Sequence, residues 1–70
     1  MEKFGEKLRI LRIQRGLTTR ELGELLEVNQ SHVTRIEQGK RIPNVAMVVR
    51  IAKIFGVSVD QLVLDELELG

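Results

Sequence analysis

Apolar residues recur along this chain in short helical periods separated by polar turns. From about Glu2 to Arg15, Phe4, Leu8 and Leu11 fall at i, i+4 and i+7 and define one face of an amphipathic helix. Ile10 and Ile13 lie on its opposite side, Arg12 flanks the apolar face, and Gly16 ends the segment. A guanidinium at the edge of a core needs a charged partner. Leu22, Leu25 and Leu26 form a second stripe. Thr18 and Glu21 mark its start, at the spacing in which each side chain satisfies the other residue's backbone N–H. Glu27, Val28 and Asn29 read as a turn. Asn29 is suited to cap a third helix from Gln30 to about Glu37, and Gly39 is suited to stop it.

Pro43 disfavours helix in the residue before it, so Lys40 to Pro43 reads as a loop. Asn44 can cap a fourth helix, Val45 to about Phe55, with Val45, Val48, Ile51, Ala52 and Phe55 as its buried stripe. Gly56 ends it. Ser58 opens a last short helix with Val59, Leu62 and Val63 facing inward. Leu64, Leu67 and Leu69 carry apolar content further than a small bundle needs. No strand alternation or two-residue hairpin signal occurs, so the fold class is all-α, a compact bundle of five short helices with short loops.

The third helix carries the most informative chemistry. Only Val33 and Ile36 are apolar and core-facing, so Gln30, Ser31, Thr34 and Arg35 fall on the outer side. Gln pairs bidentately with adenine, Arg with guanine, and a hydroxyl adapts to several acceptors, so this face suits the edges of base pairs. The same residues also make an ordinary solvated helix face. Lys40 and Arg41 make the following loop basic, which suits phosphates or simply solvent.

Composition narrows the classes. Seventy residues make one domain with a core near the lower limit for independent folding. The chain has no cysteine, which removes disulfides and thiolate metal sites. No apolar run approaches the ~18 residues of a membrane span, and the first residues lack a signal-type apolar stretch. A cytoplasmic location is expected. His32 is the single histidine, with no second ligand for a metal, and no nucleophile arrangement or phosphate-cradling glycine loop is present. Neither an enzyme nor a cofactor is expected. The net charge of +1 is unremarkable, but its distribution is uneven. Asp60, Asp65, Glu66 and Glu68 are the only charges from residue 60 onward, which leaves 11 basic against 6 acidic residues and a charge of +5 over residues 1–59. Phosphate binding needs a local basic surface of this kind.

Taken together, Phe4-Gly5, Leu8-Arg9-x-Leu11-Arg12, Gly16-Leu17-Thr18, Glu21-Leu22, Val33-x-x-Ile36-Glu37-x-Gly39, Pro43 and Ile51-Ala52-x-x-Phe55-Gly56-Val57-Ser58 with Leu62 carry a family likeness. The chain resembles the Cro and phage-repressor type of helix-turn-helix domain, also called the xenobiotic-response-element type. The likeness covers about residues 4–63, with the helix-turn-helix unit at about 19–38 and an acidic, apolar extension over 64–70. It implies a lambda-repressor-like fold in which the third helix lies in the major groove. Gln30, Ser31, Thr34 and Arg35 match its base-contacting positions. Thr19, with Arg20 beside it, and Gln38, Lys40 and Arg41 match its phosphate-contacting stretches. Arg12 and Glu37 match a partly buried salt bridge between the first and third helices.

Three residues depart from the family pattern. Thr19 replaces a longer Gln, Gly23 replaces the usual Ala, and Glu27 stands where the turn often has Gly. The resemblance implies a sequence-specific transcriptional regulator, a repressor acting on double-stranded DNA as a homodimer, with Leu64, Leu67 and Leu69 as candidate dimer surface. Two other readings stay open: a protein-interaction module such as an antitoxin or bridging factor, and the N-terminal DNA-binding part of a longer regulator.

Overall fold

The computed structural model describes residues 1–69 and contains α1 (Phe4–Gln14), α2 (Thr19–Leu26), α3 (Gln30–Glu37), α4 (Val45–Phe55) and α5 (Val59–Val63), with no strand among the described residues. Gly70, the last residue of the expected extension, lies outside the described residues.

Local capping chemistry sets most of these boundaries. Thr18 Oγ1 accepts the Glu21 N–H at 3.0 Å, and the Thr18 N–H donates to the Glu21 carboxylate at 2.9 Å. That backbone donor, with the Thr18 side chain, holds the Glu21 carboxyl below the usual carboxylate range. Asn29 and Asn44 cap α3 and α4 by accepting the N–H groups of His32 and Met47 at 2.9 and 2.8 Å. Ser58 and Gln61 form a second reciprocal box at the start of α5.

Helix α1 is the exception. It begins at Phe4 and not at Glu2, because no side chain near its start caps it locally. The cap arrives from the far end of the chain instead: the Asp65 carboxylate accepts the Glu2 and Lys3 N–H groups at 3.0 and 2.9 Å. The Lys3 N–H above all holds the Asp65 carboxyl below its usual range.

Each helix contributes at least one fully buried side chain to a common core: Phe4 and Leu8, Leu22 and Leu26, Val33 and Ile36, Ile51, and Leu62. Three expected core positions lie outside it. Leu25 is half exposed, since α2 buries the face formed by Leu22, Gly23 and Leu26 and Leu25 falls beside that face. Val45 is 79% exposed, as the first residue of α4 and off the line of Val48, Ile51, Ala52 and Phe55. Val59 opens α5 and is also exposed.

Two glycines permit close helix packing. A Cβ at Gly5 would lie 2.6 Å from the Glu37 carbonyl oxygen and closer still to that of Ile36, so α1 crosses the end of α3 backbone against side-chain-free backbone. At Gly23 a Cβ would meet the Val28 carbonyl oxygen at 2.8 Å, so the approaching chain there is the turn between α2 and α3 and not α3 itself. Gly23→Ala is therefore expected to lower the melting temperature, although alanine is the better helix former by about 1 kcal/mol. A thermal melt followed by circular dichroism checks the sign.

Glu27 adopts the left-handed conformation at φ 59°, as its position in the turn suggests. Arg50 compensates, with Nη1 donating to the Glu27 carboxylate at 2.9 Å and to the Leu26 carbonyl at 3.2 Å. This cation closes the C-terminus of α2, where the helix dipole favours positive charge.

Candidate nucleic-acid interface

Helices α2 and α3 pack against each other, joined by the Glu27–Asn29 turn, and α3 is fixed from below by Val33 and Ile36. Its outer face is open. Gln30, Ser31, Thr34, Arg35, Gln38 and Lys40 line one concave surface together with Asn29. All four base-reading candidates thus share one face, and two of the phosphate candidates continue it past the end of α3.

The hydrogen bonds on this face leave its recognition groups available. Gln30 Nε2 donates to Thr19 Oγ1 at 3.0 Å. A primary amide has two N–H donors and a carbonyl, so Gln30 keeps one of each, the pair a bidentate contact to adenine requires. Thr19, although shorter than the family's glutamine, does reach Gln30 and orients it. The Ser31 hydroxyl donates to Asn29 Oδ1 at 2.7 Å, and the Thr34 hydroxyl donates to the Gln30 carbonyl at 3.1 Å. Both hydroxyls are committed as donors and remain free as acceptors. The Arg35 guanidinium has no hydrogen-bond or ion-pair partner among the described residues.

The remaining phosphate candidates lie apart. Arg20 is on the exposed side of α2, 3.8 Å from Glu24 in a solvent-screened pair. Arg41 is not among the residues of the concave surface and lines a separate cleft with Phe4, Gly5, Ile36, Ile42 and Pro43. Between them the loop is pinned by the Lys40 N–H, which donates to the Arg35 carbonyl at 2.9 Å, and by Gly39 at φ 75°.

Arg12 and Glu37 meet as the likeness implied. Arg12 Nε and Nη2 donate to the two Glu37 carboxylate oxygens at 2.7 and 3.1 Å, and Nη1 donates to the Leu17 carbonyl at 2.9 Å. Both side chains are largely buried, at 14% and 7% exposure. One cation therefore ties α1 to the end of α3 and to the segment entering α2.

The sequence reading missed Lys7. It is 6% exposed, and its ammonium donates to the carbonyls of Gln61, Leu64 and Leu67 at 2.5, 2.9 and 2.6 Å. The only signal was its place next to Leu8 and between Phe4 and Leu11 on the first helix. The segment after α5 is folded back by this contact and by Asp65. Leu64 and Leu67 remain exposed, whereas Leu69 is half-buried against the protein's own core.

The helix-turn-helix domain family model matches residues 3–64. The chain belongs to this family. It is a DNA-binding domain of transcription regulators, of the Cro and phage-repressor type. The domain is 38% identical over 64 residues to the HTH-type transcriptional activator BcrR of Enterococcus faecalis, which covers 91% of this chain and 31% of that protein. It is 43% identical over 54 residues to the HTH-type transcriptional repressor RghR of Bacillus subtilis, covering 76% of this chain and 40% of the relative. The chain thus spans well under half the length of these two curated relatives. Among solved structures it resembles the restriction-modification controller protein C.AhdI from Aeromonas hydrophila, with a TM-score of 0.77 and 30% identity over 87% of this chain and 88% of that one. No helix among the described residues is long and apolar enough to cross a membrane.

Proposed function

We propose that this helix-turn-helix domain is a cytoplasmic, sequence-specific repressor that reads the major groove of double-stranded DNA with α3 as a homodimer. The observation that supports the reading best is the shared outer face of Gln30, Ser31, Thr34 and Arg35, continued by Gln38 and Lys40. Gln30, Ser31 and Arg35 read base edges, with Thr34 beside them. Thr19, Arg20, Gln38, Lys40 and Arg41 hold phosphates, with Thr19 also bracing Gln30. Residues 4–63 form the reading unit, and the segment from 64 onward supplies apolar surface, Leu64 and Leu67 foremost, for pairing two copies. Occupancy of a near-palindromic site by such a pair, with half-sites about one helical turn apart, blocks transcription. The named relatives include one activator and one repressor, so the sign of regulation rests on this occupancy argument alone.

Selection of bound duplexes from a random pool at ~150 mM salt tests the reading, since phosphate contacts make affinity salt-dependent. Wild type is expected to enrich a two-fold symmetric site. Arg35→Ala is expected to lose one base preference in each half-site, at about 1–3 kcal/mol per contact. Enrichment of no sequence overturns the reading.

A second reading has its own support. Ile10, Ile13, Leu64 and Leu67 are all exposed, and a protein partner would bury them. An antitoxin, a bridging factor or the N-terminal part of a longer regulator would each use such a surface.

A further inference from the structure

Side chains advance around a helix by roughly 100° per residue. With Val33 and Ile36 buried, Ser31 and Arg35 stand near the middle of the outer face of α3, and Gln30 and His32 mark its two edges. The Gln30 edge is joined to α2 through Thr19. The His32 edge is built differently. His32 is half-buried, Arg35 lies one turn further along the same helix, and the charge of Arg41, in the loop after α3, acts on the ring. Arg41 lines its cleft beside Ile36, the residue one turn after His32.

Partial burial, then the charges of Arg41 and Arg35, hold the His32 imidazole below the usual histidine range. Arg41 and Arg35 are the charged groups that act on the ring, and Glu2 lines the same cleft as Arg41. The edge thus carries two arginines and an imidazole whose charged form they disfavour.

A helix about 10–12 Å across with its side chains fills a major groove about 12 Å wide, and a sugar–phosphate strand runs along each rim. If the outer face of α3 meets base edges, both of its edges meet phosphates. The Thr19 edge meets one strand, and the edge made by His32 and Arg41 meets the other.

Resting on that DNA reading, we propose that His32 is a phosphate-contacting residue and that duplex binding is coupled to uptake of one solvent proton by its imidazole in each protomer. A phosphate offsets the fields of Arg35 and Arg41 that keep the ring neutral. The imidazolium then donates an N–H to the phosphate oxygen, a charge-assisted bond stronger than a neutral ring could make. The sign is opposite in the free protein. There the neutral ring is favoured, so protons destabilise the free fold as pH falls through the ordinary histidine range, whereas they tighten the complex.

His32 is the single histidine and the chain has no cysteine, so no other side chain of ordinary pKa titrates between about pH 5.5 and 7.2.

The test is fluorescence anisotropy with the duplex enriched in the selection above, at constant ionic strength, for wild type and His32→Gln. Wild-type Kd is expected to tighten about three- to tenfold per protomer between about pH 7.2 and 5.5, one pKa unit of differential binding being tenfold. His32→Gln is expected to bind with the same sequence preference and a flat pH profile. The ring resonances of the single histidine, followed by NMR without any substitution, should titrate at higher pH in the complex than in the free domain. Equal pH slopes for wild type and variant, or identical titration free and bound, overturn the proposal. An enriched duplex with pH-independent affinity removes the role of His32 alone, whereas failure to enrich any duplex removes the DNA reading with it.

Discussion

Arg12→Met should destabilise the domain by about 3–5 kcal/mol, the usual cost of leaving one member of a buried ion pair behind. A chain of this length is typically stable by only about 4–10 kcal/mol, so much of the population would unfold under mild conditions. The cost is large because the arginine satisfies three groups at once. Both Glu37 carboxylate oxygens and the Leu17 carbonyl lose their donors, and the carboxylate stays behind at 7% exposure. Urea denaturation of the single variant measures the loss. Arg12→Met combined with Glu37→Leu should recover most of it, because no charge then remains buried. A single-variant loss under about 1 kcal/mol would place the pair among solvent-screened surface bridges instead.

That ion pair shows how far the linear chain could be read. Arg12 sits at the margin of an apolar stripe, so a need for a partner was visible, and the family likeness supplied Glu37. The helix starts were also legible, because Thr18, Asn29 and Asn44 lie beside the backbone donors they satisfy. The outer face of α3 followed from period alone, since two apolar residues fix which way eight residues point.

What could not be read depends on contacts between distant parts of the chain. Asp65 caps α1 from 62 residues beyond Lys3, so the true start of α1 was invisible in its own sequence. Period counting assigned Leu25, Val45 and Val59 to the core because it ranks apolar residues without knowing where a neighbouring helix ends. The close approach at Gly23 decides which face of α2 is buried, and a stripe of leucines does not reveal it. On the candidate site, Thr19 is the instructive residue. It is shorter than the family's Gln yet meets Gln30 at 3.0 Å, because the separation of two side chains depends on backbone placement as much as on side-chain reach.

Lys7→Met is expected to cost about 2–4 kcal/mol, since it withdraws the charged donor from three carbonyls near the end of α5, of which that of Leu64 keeps the Leu67 N–H at 3.1 Å. A methionine fills the apolar stem's volume and supplies none of the hydrogen bonds. Lys7→Arg should rescue little, because a planar guanidinium cannot replace a compact ammonium on which three carbonyls converge. The loss should also be local in a way that identifies its cause. The carbonyls of Gln61, Leu64 and Leu67 hold the last segment against α1, and that segment delivers Asp65 to the Glu2 and Lys3 N–H groups. Amide exchange at Leu64 and Leu67, at Glu2 and Lys3, and through the first turn of α1 should therefore accelerate together, ahead of global unfolding. The amides of α2 and α3 should keep their protection until the whole domain unfolds. Uniform acceleration across the chain would show that Lys7 stabilises the core as a whole and is not a clasp between the two ends of the domain.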